Sequence, residues 1–163
     1  MMPLTTGNKA PAFELKGEDG SPRVFKAQAG EPHVLLAFYK DTCPVCQFTL
    51  PFLERIYQGV KGKVTFWAVS QDDAREAKSF ALDYGLSFPQ AIDKPGYPVS
   101  NAYGICSVPT TYLIEPGGKI LRIIEGFVRK DLEDLSRDLG KLVGVAAPVV
   151  FKPGDDAPAL RPG

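Results

Sequence analysis

Cysteine and histidine are scarce in this sequence, and neither sign of charge is in excess. Three cysteines among 163 residues cannot form the paired framework that staples a small extracellular domain. With 19 basic and 19 acidic residues the charges balance, so nucleic acid and anionic membrane surfaces are not expected partners. No apolar run reaches the roughly 18 residues that a membrane-spanning helix needs, so no membrane span is expected.

The N-terminal residues 1–13 lack the basic and apolar regions of an export signal. We therefore predict a cytoplasmic protein, and an exported form stays open as the alternative. The length predicts a single domain with a sizeable core. We assign that domain to residues 1–147 and a Pro/Gly-rich C-terminal tail to residues 148–163.

A Cys-x-x-Cys pair, Cys43 and Cys46, lies where a strand-like apolar run ends and a helix-like run begins. Two thiols at this spacing can close a small disulfide ring or supply half of a metal site. A cysteine at a helix start also faces unpaired N–H groups and the positive end of the helix dipole, which stabilise a thiolate. In a chain without a visible export signal, this arrangement favours dithiol–disulfide chemistry.

The rest of the pattern predicts an α/β fold. Two continuous apolar runs, 33–39 and 64–70, are typical of strands that are covered on both faces. A helix-like pattern follows each run, and Asp72 is the predicted N-cap of the second helix. Pro116-Gly117-Gly118 separates two later strands and predicts a hairpin. From residue 33 to residue 142 the elements read β-α-β-α-β-α-β-β-α, a central mixed sheet flanked by helices.

This order of elements resembles the thioredoxin fold, and more closely the redoxins. These include thiol-disulfide interchange proteins and the alkyl hydroperoxide reductase/thiol-specific antioxidant family. Three segments carry the resemblance: Gly7-x-x-Ala10-Pro11-x-Phe13, Cys43-Pro44-Val45-Cys46 followed by Pro51, and Tyr103 to Ile114 with its Val-Pro-Thr-Thr. The resemblance implies a thioredoxin fold with an N-terminal β-hairpin extension and a central redoxin-type insertion.

The resemblance also implies roles for the site residues. Cys43 would be the nucleophile that attacks a partner disulfide, and Cys46 would resolve the mixed disulfide. Val108-Pro109 would be a cis peptide lying against the pair, where the backbone before the proline pairs with an extended substrate segment. Substrate contacts are accordingly expected from Thr42, Pro44, Val108 and Pro109.

The predicted function is therefore thiol-disulfide oxidoreductase activity toward protein thiols and disulfides, supported by an upstream thiol reductant. The redox-active cysteine pair is the only redox group expected, with no other cofactor and no metal. We expect a monomer or a weak homodimer.

Several residues depart from the family pattern. Ala37 occupies the position of the buried acid that thioredoxins carry in the first buried strand, and Thr49 stands where interchange proteins often have glutamate. Thr42 replaces the tryptophan that commonly precedes the first cysteine. Proton transfer from Cys46 would then rely on water or on a carboxylate that the sequence does not identify. Because no histidine lies between the cysteines, we expect a reductant-like or intermediate potential.

Two other functions stay open. One is a thiol-dependent peroxidase, because residues 38–41 resemble the approach to a peroxiredoxin's peroxidatic cysteine. Aligning Cys46 with that cysteine, however, puts Cys43 where the peroxide-binding threonine should be. Thr110 or Thr111 then occupies the region that usually supplies the activating arginine. The other alternative is a redox-inactive binding module on the same fold.

Two further features have more than one interpretation. Cys106, three residues before Pro109, is either an accessory thiol on the active-site loop or a half-buried packing residue. Residues 154–160 repeat the Gly-x-x-Ala-Pro-Ala-apolar pattern of residues 7–13. That repeat indicates a strand packed on the domain, a remnant of a second redoxin unit, or a chance similarity in a disordered tail.

Overall fold

A computed structural model describes residues 2–163. The strands are β1 Phe13–Gly17, β2 Pro22–Phe25, β3 His33–Tyr39, β4 Val64–Ser70, β5 Gln90–Ile92, β6 Thr110–Ile114, β7 Ile120–Glu125, β8 Phe127–Val128 and β9 Leu160–Arg161. The helices are α1 Pro44–Val60, α2 Ala74–Tyr84, α3 Pro98–Tyr103 and α4 Arg129–Val143.

Seven strands form one mixed sheet in the order β2-β1-β5-β4-β3-β6-β7. β3, β4 and β5 are parallel, whereas β6 pairs antiparallel with β3 and β7 pairs antiparallel with β6. The N-terminal hairpin β1–β2 joins the sheet beside β5. The predicted α/β order, the mixed sheet and the hairpin extension are confirmed, and α2, β5 and α3 lie where the central insertion is expected.

The sheet is covered on both faces, which explains the continuous apolar run of β3. Leu35, Ala37 and Tyr39 face the core layer beneath α1 and α4. The alternate residues Val34, Leu36 and Phe38 face the opposite layer, which includes side chains from the N-terminal hairpin and α3. Because side chains alternate along a strand, both sets must be apolar for both faces to be buried. This packing fixes the end of β3, from which the cysteine motif projects.

The N-cap of α2 is Asp73, so the prediction of Asp72 was wrong by one residue. The Asp73 side chain accepts the Glu76 N–H, and the Glu76 carboxylate accepts the Asp73 N–H, which forms a reciprocal capping box. Asp72 instead turns inward and is buried at the end of the sheet. The two neighbouring aspartates thus have different tasks.

Residues 148–163 pack on the domain rather than leaving it, so the packed-strand interpretation of the tail is the one observed. Val150 is buried, and the Phe151 ring lies 4.9 Å from the Phe52 ring of α1. Arg55 forms a bidentate ion pair with Asp155, with N–O distances of 2.6 and 3.1 Å. β9 then pairs antiparallel with β8. The division at residue 147 remains a prediction.

The Arg55–Asp155 pair predicts that the tail loosens in acid. Hydrogen bonds from Arg55, and next from the Lys152 N–H, lower the pKa of Asp155 from 3.8 to about 2. A folded-state pKa below the unfolded value stabilises the packed tail above pH ~4, and this contribution is lost as the pH falls toward 2. We expect Arg55→Met to weaken the amide-exchange protection of residues 150–161 at neutral pH. In this variant the protection should not fall further when the pH is lowered, because the ion pair is already missing. Arg137→Met, which removes an ion pair within α4, is the matched control, and equal effects of the two changes would contradict the prediction.

Candidate active site

Cys43 is the N-cap residue of α1 and Cys46 lies in the first turn of that helix. The Cys46 N–H donates to the Cys43 Sγ at 3.1 Å. Pro44 occupies the first helical position, where its missing N–H costs no hydrogen bond. The Cys43 sulfur therefore lies at the positive end of the helix and accepts a hydrogen bond from one of its free N–H groups.

The two sulfurs differ in exposure. Cys43 is partly exposed, whereas Cys46 is fully buried. Burial raises the pKa of the Cys46 thiol, and the hydrogen bond with Cys43 raises it further. At neutral pH Cys46 consequently keeps its proton while Cys43 is the sulfur that a partner can reach.

The Val108-Pro109 peptide is cis, as the resemblance implied. The Cys43 thiol donates to the Val108 carbonyl oxygen at 3.5 Å, so this loop lies directly beside the motif. Pro109 is buried, and its carbonyl oxygen accepts the Gly126 N–H at 2.7 Å. The structure thus brings Cys43, Cys46, Val108 and Pro109 together.

Thr42 and Pro44, the other predicted substrate contacts, are exposed on either side of Cys43. Cys106 is also exposed, and its thiol donates to the Gly104 carbonyl oxygen at 3.5 Å in the turn between α3 and β6. Cys106 is therefore not a half-buried packing residue, which was the second of its two interpretations. The role of Cys106 as an accessory thiol remains a prediction.

Asp72 is a buried carboxylate beside the motif that the sequence did not reveal. One carboxylate oxygen accepts the Asp41 N–H at 2.7 Å, and the other lies 3.5 Å from the Lys40 Nζ. Burial raises the pKa of Asp72, and its negative charge is a minor contribution to the raised pKa of Cys46. The sequence did contain a signal for this position. Residues that directly follow two neighbouring parallel strands, here β3 and β4, must lie at the same edge of the sheet.

Two of the positions that depart from the family pattern, Ala37 and Thr49, are buried and carry no ionisable group. Ala37 faces Thr111 across the β3–β6 pair, and Thr49 lies one helical turn beyond Cys46. Both threonine side chains are buried, and within residues 2–163 neither hydroxyl finds a hydrogen-bond partner. The acid that thioredoxins place here is thus replaced by groups that do not ionise.

The region of the activating arginine of peroxiredoxins is taken by Thr110, whose hydroxyl donates to the Ser107 carbonyl oxygen at 2.8 Å. A threonine engaged with its own loop cannot supply the cationic donor that polarises a peroxide O–O bond. The geometry therefore favours sulfur exchange over peroxide reduction at this pair.

Comparison with known proteins extends these observations to the whole domain. The model of the AhpC/TSA family matches residues 6–123, from before the N-terminal hairpin into β7. The chain belongs to the AhpC/TSA family. The matched residues include the cysteine pair and the cis-proline loop, so the candidate active site lies within the part of the chain that the family model covers.

Named relatives of this AhpC/TSA protein are mostly disulfide oxidoreductases. It is 34% identical to the thiol-disulfide oxidoreductase ResA of Bacillus thuringiensis, over 78% of this chain and 74% of ResA. A candidate thiol:disulfide interchange protein DsbE from Chlorobium tepidum has 28% identity and a TM-score of 0.75, covering 86% of this chain and 99% of its own. Peroxidoxin BcpB from Mycobacterium tuberculosis shares the fold alone, with 22% identity, a TM-score of 0.69 and coverage of 88% and 99%.

With the Cys43–Cys46 pair present, these relatives identify the chain as a thiol-disulfide oxidoreductase with a thioredoxin-like fold. Within residues 2–163, no helix combines the length and the apolar character needed to cross a bilayer.

Proposed function

We propose that this chain exchanges disulfides with protein thiols, using Cys43 as the nucleophile and Cys46 as the resolving thiol. The single observation that carries the proposal is the asymmetry of the pair. Cys43 is reachable at the helix N-terminus and receives the Cys46 N–H, while Cys46 is buried behind it. The cysteine pair itself carries the electrons, so no other cofactor enters the reaction.

The reaction balances as two sulfur displacements. In the reducing direction, the Cys43 thiolate attacks one sulfur of a partner disulfide, forms the mixed disulfide and releases the first partner thiolate. Cys46 then loses its proton and attacks the Cys43 sulfur, which releases the second partner thiolate. Two electrons pass from the dithiol to the partner, and an upstream thiol reductant restores the Cys43–Cys46 dithiol.

The test is reduction of insulin disulfides with a thiol reductant as the electron source. We expect the wild-type chain to accelerate it, Cys43→Ser to fall to the uncatalysed background, and Cys106→Ser to retain turnover because it removes a thiol outside the pair. Peroxide turnover that survives Cys43→Ser and is lost in Cys46→Ser would instead support a peroxidase. If glutathione buffers of any ratio left the pair without an internal disulfide, a redox-inactive binding module would be supported.

A further inference from the structure

The C-terminal residues 160–163 lie beside the reactive sulfur. Arg161 pairs with Phe127, and the Arg161 guanidinium carbon lies 4.7 Å from the centre of the Phe48 ring on α1. At residue 163 the chain is in contact with the Val108 carbonyl, the same oxygen that accepts the Cys43 thiol. The segment therefore pairs with β8 and lies between α1 and the cis-proline loop, and we call the space between these two elements the groove.

Two glycines allow this close approach of backbone to backbone. A Cβ added at Gly163 would overlap the Val108 carbonyl oxygen. Gly126 has φ +70°, and a Cβ added there would lie 2.7 Å from the Arg161 carbonyl oxygen and 2.9 Å from the Gly163 nitrogen. Because side chains at these positions would prevent the contact, the groove accepts an extended main chain with small residues at its closest points.

The tail is held strongly up to residue 159 and weakly beyond it. Val150 is buried, Arg55 pairs with Asp155, and the Arg129 N–H donates to the Ala159 carbonyl oxygen at 3.0 Å. Beyond that point β9 is a two-residue strand, and Leu160 is 59% exposed. Short pairing with little buried apolar surface opens more easily than the rest of a fold. Residues 160–163 can therefore leave the groove while residues 150–159 stay in place.

We propose that residues 160–163 are an internal strap that occupies the docking groove for the polypeptide flanking a substrate disulfide. The inference rests on the proposed function, because it concerns access to Cys43. A protein disulfide that reaches Cys43 must bring its own chain beside Val108 and displace the strap. A tethered segment acts at an effective concentration on the order of millimolar, so even weak contacts compete with a substrate. A small disulfide needs only the Cys43 sulfur and bypasses the strap.

The full-length double variant Arg161→Ala/Gly163→Val tests this inference. It removes the contact with Phe48 and places a side chain against the Val108 carbonyl oxygen. If the strap occupies the groove about nine-tenths of the time, its release raises apparent substrate affinity about tenfold. We expect kcat/KM for insulin to rise about tenfold, with the rate toward hydroxyethyl disulfide changed less than twofold. Asp156→Ala, an exposed position on the anchored part of the tail, is the matched control.

A second measurement does not depend on disulfide exchange. In a Cys106→Ser background, Cys43 is alkylated by iodoacetamide and by a maleimide carried on an extended peptide. The double variant should accelerate the peptide reagent about tenfold and leave iodoacetamide unchanged. Equal peptide labelling with and without the double substitution overturns the strap, even where insulin is reduced. Faster peptide labelling without any insulin reduction supports the strap and refutes the proposed function.

Discussion

Cys46→Ser is expected to convert the protein from a catalyst that turns over into a trap that stops after one displacement. Cys43 can still attack a partner disulfide, because its position at the helix N-terminus does not depend on the Cys46 thiol. The resolving nucleophile is missing, and a hydroxyl cannot replace a thiolate in this exchange. Insulin turnover should fall to background while one mixed disulfide per chain accumulates at Cys43. Mass spectrometry under non-reducing conditions measures both the stoichiometry and the site.

The matched control is Cys43→Ser, which leaves only the buried thiol of the pair. Burial raises the pKa of Cys46 and removes its sulfur from contact with a partner, so mixed disulfides at Cys46 should be rare in this variant. Raising the pH should not make the two variants equivalent, because the reactivity of Cys46 is limited by its burial as well as by its protonation. Equal yields of mixed disulfide from the two variants would refute the assigned roles.

The site could be predicted from sequence as far as its signals were local or shared with a family. The end of β3 and the start of α1 are marked by an apolar run, a Cys-Pro step and helical spacing. The cis Val108-Pro109 peptide followed from resemblance, not from periodicity, since most X-Pro bonds are trans. These local features predict that both cysteines lie at the start of α1, which is where the structure has them.

What the sequence did not reveal depends on contacts between distant segments. Glu76, three residues after Asp73, is a local signal that marks Asp73 as the N-cap, whereas only the arrangement of β3 beside β4 sends Asp72 inward to the Asp41 N–H. The packing of the tail depends on Arg55 meeting Asp155, a hundred positions apart in the chain. A composition rich in proline and glycine is equally consistent with a disordered tail, because composition does not show which aromatic side chains the tail packs against.

Phe127→Ala is expected to cost about 3–5 kcal/mol of unfolding free energy, the usual range for a buried phenylalanine. Phe127 is fully buried, and its ring lies 4.9 Å from Phe48, 5.7 Å from Phe52 and 6.0 Å from Phe151. A cavity here would separate α1 from both β8 and the tail. For a chain of this size, the melting temperature should fall on the order of 10 °C, measurable by calorimetry or by denaturant unfolding.

Phe66→Ala is the matched control for Phe127→Ala, because it removes core packing at a residue whose aromatic partners lie outside the tail. Phe66 is also buried, but it packs against Tyr57 in the C-terminal half of α1 and against Phe88, just before β5. Both substitutions should lower global stability by similar amounts, whereas only Phe127→Ala should remove amide protection selectively from residues 150–161. It should also raise labelling of Cys43 by a peptide reagent, because the cavity left at Phe127 loosens β8, the strand with which the strap pairs. If Phe66→Ala released the tail equally, Phe127 would stabilise the fold without linking the tail to the active site.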